Sequence, residues 1–238
     1  MRRAAESAPA GGAFVTALVP AAGFSARMGG ESKILAKAGG LPVIVHTLRA
    51  LEESGHISEI IVASREEDIP ALTELCGNLG FTKLRGIVRG GRTRAESVML
   101  ALSAADPSAR IAAVHDGARP CVTARVIRHA VDMALEKGAS CPAVPLRDTL
   151  KTTEDGLTVS ATPERRRYML AQTPQCFDMP LLKAALAAAL KDGESPTDCS
   201  SAVERLGVTV YLTPGDEGNI KITTPADLAW FRALVEAG

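Results

Sequence analysis

Residues 14–33 read F-V-T-A-L-V-P-A-A-G-F-S-A-R-M-G-G-E-S-K. The first seven form a short, largely apolar run of strand length. The rest is rich in Gly and Ala, shows no hydrophobic periodicity and carries Arg27 and Lys33. A strand that empties into such a segment predicts the first turn of a βα unit. Small side chains leave the main-chain N–H groups open to close approach by an anion. Arg27 offers a planar fork and Lys33 a mobile point charge, so the segment reads as a phosphate-binding loop. It is neither of the two common phosphate loops, because the strings Gly-x4-Gly-Lys-Ser/Thr and Gly-x-Gly-x-x-Gly are both absent.

The rest of the chain alternates in the same way. Strand segments are expected at 14–20, 58–63, 82–88, 111–115, 139–146 and 208–213. Helices are expected at 42–54, 66–76, 94–104, 123–137, 179–191, 197–206 and 224–236. Thr123 is placed to cap the fourth helix, and Asp178 with Pro180 marks the start of the fifth. The alternation predicts an α/β fold, a mainly parallel sheet covered by helices on both faces. Ligands of such sheets sit beyond the carboxyl ends of the strands, where the 20–33 loop departs.

Residues 147–167, R-D-T-L-K-T-T-E-D-G-L-T-V-S-A-T-P-E-R-R-R, break the alternation. They are rich in Thr and charge, with an Asp155-Gly156 turn between two extended halves. A segment with so little to bury reads as a surface hairpin or as a protruding β-arm that packs on a second subunit, and the arm is the favoured expectation. Residues 1–13 read as a flexible tail, and 14–238 as a single domain that carries the arm. No second enzyme is expected after Gly238.

Composition excludes several classes. Lys+Arg and Asp+Glu are both 27, so the net charge is zero, which excludes a general nucleic-acid or membrane-surface binder. Aromatic residues are 3% of the chain, too few for a stacking platform along a single strand. No run approaches membrane-spanning length. The five cysteines are odd in number and form no Cys-x-x-Cys pair, which suits reduced thiols in a cytoplasmic enzyme.

Three further clusters carry charge. K-L-R-G-I-V-R-G-G-R-T-R at 83–94 sets Gly90 and Gly91 just before a helix, where anions are favoured. Ser97 lies one turn inside that helix. V-H-D-G-A-R-P-C at 114–121 delivers Asp116 at a strand end, suited to a substrate hydroxyl or to Mg²⁺, and Arg119, suited to a phosphate. His115 alternates with Val114 and reads as packed. G-N-I-K-I-T-T-P at 218–225 presents Lys221. No Ser-His-Asp or Cys-His set stands out, and nucleotidyl transfer to a phosphate needs none. Its attacking oxygen is already anionic, so positioning and charge stabilisation carry the reaction.

Taken in order, these blocks resemble a known family. V-P-A-A-G-F-S-A-R-M at 19–28, G-G-R-T-R-A-E-S-V at 90–98 and V-H-D-G-A-R-P at 114–120 are followed by P-L-R-D-T-L-K at 145–151 and A-Q-T-P-Q at 171–175. Thr197-Asp198 and N-I-K-I-T-T-P at 219–225 complete the set. The pattern is similar to the 2-C-methyl-D-erythritol 4-phosphate cytidylyltransferases of the non-mevalonate isoprenoid pathway. The resemblance implies a Rossmann-like sheet, a homodimer made through the β-arm, and transfer of CMP from CTP to the polyol phosphate with Mg²⁺ bound alongside CTP. It implies that Ala21, Ala22, Gly23, Gly91, Ser97 and Gly117 bind the nucleotide. Arg27 and Lys33 would stabilise the triphosphate. Asp116, Arg119, Thr149, Arg165, Thr173 and Lys221 would hold the sugar phosphate, with Lys221 and Arg165 aiming it. Thr149 and Arg165 would serve the neighbouring subunit's site. Two other functions share much of this pattern: a cytidylyltransferase for another polyol phosphate, such as ribitol 5-phosphate, and a CTP-binding regulator without turnover.

Overall fold

The computed structural model describes residues 12–23 and 34–237. Arg27, Lys33 and all of the expected tail except Gly12 and Ala13 lie outside the described residues. The chain begins with β1 (Val15–Pro20), a small hairpin of β2 (Lys37–Ala38) and β3 (Leu41–Pro42), and α1 (Val43–Glu53). Next come β4 (Glu59–Ser64), α2 (Ile69–Asn78), β5 (Leu84–Arg89), α3 (Arg94–Ser103), β6 (Ile111–Val114), α4 (Ala124–Lys137) and β7 (Ala139–Pro145). After the arm come β8 (Met169–Ala171), β9 (Gln175–Asp178), α5 (Met179–Lys191), α6 (Cys199–Glu204), β10 (Tyr211–Pro214) and α7 (Pro225–Ala237).

The main sheet runs in the order β10-β7-β9-β6-β1-β4-β5, with β8 paired to β7. β1 pairs in parallel with β4 and β6, β4 with β5, and β7 with β10. β9 runs antiparallel to both β6 and β7, and β8 antiparallel to β7. The fold is therefore α/β and mostly parallel, as expected. The reversed strands β8 and β9 were not expected: β9 spans four residues, and β8 is exposed throughout, so neither shows an amphipathic period.

β1 shows how the layers form. Val15, Ala17 and Val19 pack with Ile44, Leu48 and Leu51 of α1 and with Val126, Ile127 and Ala130 of α4. Leu18 faces the other way, toward Val98 and Ala101 of α3 and Leu182 and Leu186 of α5. A strand buried on both faces reads as a continuous apolar run, which is how residues 14–20 read. A third cluster seats Leu228 and Phe231 of α7 on Ala38, Val43 and Ile222, which ties the chain's end to the segment that bears Lys221.

Helix caps follow the sequence with one exception. The Thr93 hydroxyl accepts from Glu96 N at 3.1 Å and Thr123 accepts from Val126 N at 3.4 Å. Asp178 stands at the start of α5 without a side-chain capping bond, and Pro180 alone supplies the start signal.

Candidate active site

The carboxyl ends of β1, β4, β5 and β6 open on one cleft of about 450 Å³. Its walls form because each loop is pinned to its neighbour as it leaves the sheet. Ala21 N donates to Ala63 O at 2.7 Å, Gly90 N to Ser64 O at 2.7 Å and His115 N to Leu18 O at 2.9 Å. Ala21, Ala22, Gly23, Gly91, Ser97, Gly117, Asp116 and Lys221 all line it.

Close packing explains the small residues. A Cβ on Gly90 would lie 2.4 Å from Ala22 Cβ, and one on Gly91 2.2 Å from Glu96 Cβ. The Ser97 hydroxyl accepts from Gly91 N at 3.1 Å and donates to Thr93 O at 2.9 Å, so it holds the Gly90–Gly91 turn over the start of α3.

Asp116 forms the charged centre. Its Oδ1 accepts from Arg94 Nη2 at 3.2 Å, and its Oδ2 lies 2.8 Å from Lys221 Nζ and 3.7 Å from Arg119 Nε. Burial pushes the Asp116 carboxyl up, but Arg94, Lys221 and Arg119 outweigh it and hold it well below the usual carboxylate range. One carboxylate thus gathers three cations. An ammonium carries three donors, so Lys221 keeps two beyond its bond to Asp116.

Arg94 is the residue that sequence reasoning missed. It opens α3, the end of a helix where a cation is electrostatically misplaced. A cation there signals an anionic partner, and Asp116 is that partner. Arg94 also donates to Cys199 Sγ at 3.2 Å, at the start of α6.

Behind Asp116 lie Arg119 and Thr173. Thr173 Oγ1 accepts from Asp116 N at 3.1 Å and lies 3.0 Å from His115 Nδ1. Arg119 Nη1 donates to Asn219 O at 2.6 Å. His115 is fully buried, as expected of a packed residue, but both its ring nitrogens are engaged, the second with Arg119 O at 3.1 Å.

Within one chain Thr149 and Arg165 do not join the cleft. Both lie on the exposed arm, and Arg165 Nη1 donates to Arg147 O at 2.7 Å. The arm's turn is well made: Asp155 Oδ1 accepts from Leu157 N and Thr158 N, each at 2.8 Å, and Gly156 takes φ +74°. The two halves meet at one antiparallel bridge, Thr152 to Ala161.

A glycine-lined turn, a helix start and a clustered set of cations at the carboxyl edge of an α/β sheet define a nucleotidyltransferase. A family model described as 2-C-methyl-D-erythritol 4-phosphate cytidylyltransferase matches residues 15–237. A relative of that name from Geotalea uraniireducens is 41% identical over 227 residues, which cover 94% of this chain and 97% of the relative. Among solved structures, a 4-diphosphocytidyl-2C-methyl-D-erythritol synthase from Anaerococcus prevotii superposes with a TM-score of 0.83 at 29% identity, covering 94% of this chain and 99% of that one. The 2-C-methyl-D-erythritol 4-phosphate cytidylyltransferase of Thermus thermophilus gives 0.79 at 32% identity, with the same coverage of each. The chain belongs to the 2-C-methyl-D-erythritol 4-phosphate cytidylyltransferase family.

Proposed function

We infer that this enzyme transfers the cytidylyl group of CTP to 2-C-methyl-D-erythritol 4-phosphate and releases pyrophosphate, a step of non-mevalonate isoprenoid precursor synthesis. The observation that carries the assignment of roles is the Asp116 cluster facing the Gly90–Gly91 turn across one cleft. A phosphate oxygen of the acceptor attacks the α-phosphorus of CTP, a new P–O bond forms, and the bond to the β-phosphate breaks. The attacking oxygen is already anionic, so no side chain has to remove a proton. Main-chain groups of 21–23 and 90–91 take the nucleotide, supported by Ser97 and Gly117. Arg27 and Lys33 meet the triphosphate and stabilise charge as it builds on the transferred and leaving groups. Lys221 takes the acceptor phosphate with its two remaining donors, while Asp116, Arg119 and Thr173 hold the acceptor side.

Mg²⁺ fits this site as an ion that arrives with the nucleotide. Among the described residues no group of three or more His, Cys, Asp or Glu is placed to hold a metal. Mg²⁺ binds through one or two carboxylates plus substrate phosphates, and the cleft offers Asp116, Glu66 and Glu67, of which Asp116 already holds three cations. Bound there it would neutralise phosphate charge.

The working enzyme is a homodimer in which the arm of each protomer brings Thr149 and Arg165 to its partner's acceptor site. Support comes from surface that one chain leaves open. Leu157 is 90% exposed and Val159 61%, and Tyr168, Met169 and Leu170 are exposed as well. We place the enzyme in the cytoplasm, supported by five cysteines that are all free thiols. Among the described residues no helix is long and apolar enough to cross a membrane.

Pyrophosphate release with CTP and Mg²⁺ tests the reading, with methylerythritol 4-phosphate and ribitol 5-phosphate offered in parallel. Release with the first alone is expected. Release with the second alone keeps the chemistry and changes the pathway. CTP binding with no release in either arm makes the chain a regulator.

A further inference from the structure

We propose that His115 is a positioning residue, which as a neutral imidazole with its proton on Nε2 locks the acceptor half of the site. The proposal rests on the transfer reaction inferred above.

Four hydrogen bonds join His115, Thr173, Asn219 and Arg119 into a closed ring. His115 Nδ1 meets Thr173 Oγ1 at 3.0 Å, and Thr173 O accepts from Asn219 Nδ2 at 2.9 Å. Asn219 O accepts from Arg119 Nη1 at 2.6 Å, and Arg119 O meets His115 Nε2 at 3.1 Å. Three separate segments of chain, at 115–119, 173 and 219, are held by this ring, and Lys221 follows two residues after Asn219.

For a neutral imidazole only one proton arrangement satisfies it. A carbonyl oxygen accepts and never donates, so His115 Nε2 must carry hydrogen toward Arg119 O. In a neutral ring Nδ1 then bears a lone pair, and the Thr173 hydroxyl must donate to it. That leaves the Thr173 oxygen free to accept from Asp116 N, as the 3.1 Å contact shows. A doubly protonated ring would turn Nδ1 into a donor and leave the Thr173 hydrogen without an acceptor. Burial acts in the same direction and pushes the imidazole down to about 4.

Two consequences separate this role from ordinary packing. The Thr173 hydrogen is committed to His115, so Thr173 can accept from an acceptor hydroxyl but cannot donate to one. The ring also touches Arg119, Asp116 N and the Lys221 segment, but neither Gly91 nor Ser97; of the residues assigned to the nucleotide, Gly117 alone lies in a segment that the ring holds. Opening it should therefore disorder the acceptor side far more than the nucleotide side.

The test is steady-state kinetics of His115→Phe, His115→Asn and Thr173→Val, with CTP affinity measured separately by calorimetry. In His115→Phe the KM for methylerythritol 4-phosphate should rise about 10-fold and kcat/KM fall about 30-fold. CTP affinity should stay within about twofold. His115→Asn places an acceptor oxygen where Nδ1 stood but leaves Arg119 O without its donor, so it should recover only part of the loss seen in His115→Phe. Thr173→Val keeps the shape of the side chain, and serves if His115→Phe does not fold. The double variant should be no worse than the worse single one, because both open the same ring. Equal losses on the CTP and acceptor sides, additive losses, or unchanged kinetics in a folded His115→Phe would each overturn the proposal. A wild-type chain that releases no pyrophosphate with the acceptor sinks the functional reading itself. A wild-type chain that does so, beside a variant with no acceptor-side loss, sinks the positioning role alone.

Discussion

Lys221 Nζ lies 2.8 Å from Asp116 Oδ2, which joins the loop after β6 to the segment before α7. The two side chains sit in unlike surroundings: Asp116 is 11% exposed at its side chain and Lys221 38%. The same ion pair should therefore answer differently according to which end is cut. Asp116→Asn leaves Arg94 and Lys221 without their counter-charge and should cost about 3 kcal/mol of unfolding free energy. Lys221→Met removes the more solvated partner and should cost less than about 1 kcal/mol, while kcat/KM falls about 100-fold. Urea unfolding beside kinetics checks both; equal stability losses would contradict the asymmetry.

Gly91→Ala probes the nucleotide wall. The added carbon would meet Glu96 Oε2 at 2.7 Å, the atom that accepts from Arg92 N at 2.6 Å. The turn must shift, so its N–H groups should lose their aim at CTP. An approximately 10-fold weaker CTP affinity is expected with a near-normal KM for the acceptor. This is the mirror image of the pattern predicted for His115→Phe, and titration calorimetry would expose any overlap.

Deleting 152–162 removes the Asp155 turn and Leu157, and should give monomers by sedimentation. A dimer built through the arm would also permit complementation. A mixture of Arg165→Ala and Lys221→Ala chains, each inactive alone, should regain up to about a quarter of wild-type turnover, because random pairing leaves half the dimers mixed with one intact site each. No recovery from mixed dimers would place Arg165 in its own chain's site.

Acid should weaken the fold through His115. The imidazole lies near 4 in the folded chain against 6.5 ordinarily. Between those values the unfolded chain binds more protons, so stability falls as pH drops through this window, by at most about 1.4 kcal/mol per pH unit. His115→Asn lacks this component. Its unfolding free energy should change less between pH 6.5 and pH 4.5 than that of the wild type, and parallel slopes would show that the ring titrates normally.

The glycine- and alanine-lined side of the cleft is easy to read in the sequence. β1 announces itself because it is buried on both faces, and Thr123 caps the helix it was expected to cap. The cluster around Asp116 and His115 was harder to see. Thr173 and Asn219 lie far from His115 along the chain, and their meeting depends on the antiparallel placement of β9, which four residues cannot announce. Arg94 left a trace in the sequence, a cation at the wrong end of a helix, but its partner appears only when β6 ends beside α3. Asp178 promised a cap that the structure does not use, since β9 runs directly into α5.

The reversal at β9 decides which side chain stands behind Asp116. Parallel strands arrive at that edge with their last residues, and the loops beyond them carry the chemistry. β9 instead enters there, so the residues just upstream of its first one stand at the rim beside the ends of its neighbours. Thr173 occupies that position. Had the strand in this slot run with β6, the same residue would lie at the opposite edge of the sheet, a full strand length away. The direction of a four-residue strand thus sets whether Asp116 N has the Thr173 hydroxyl behind it.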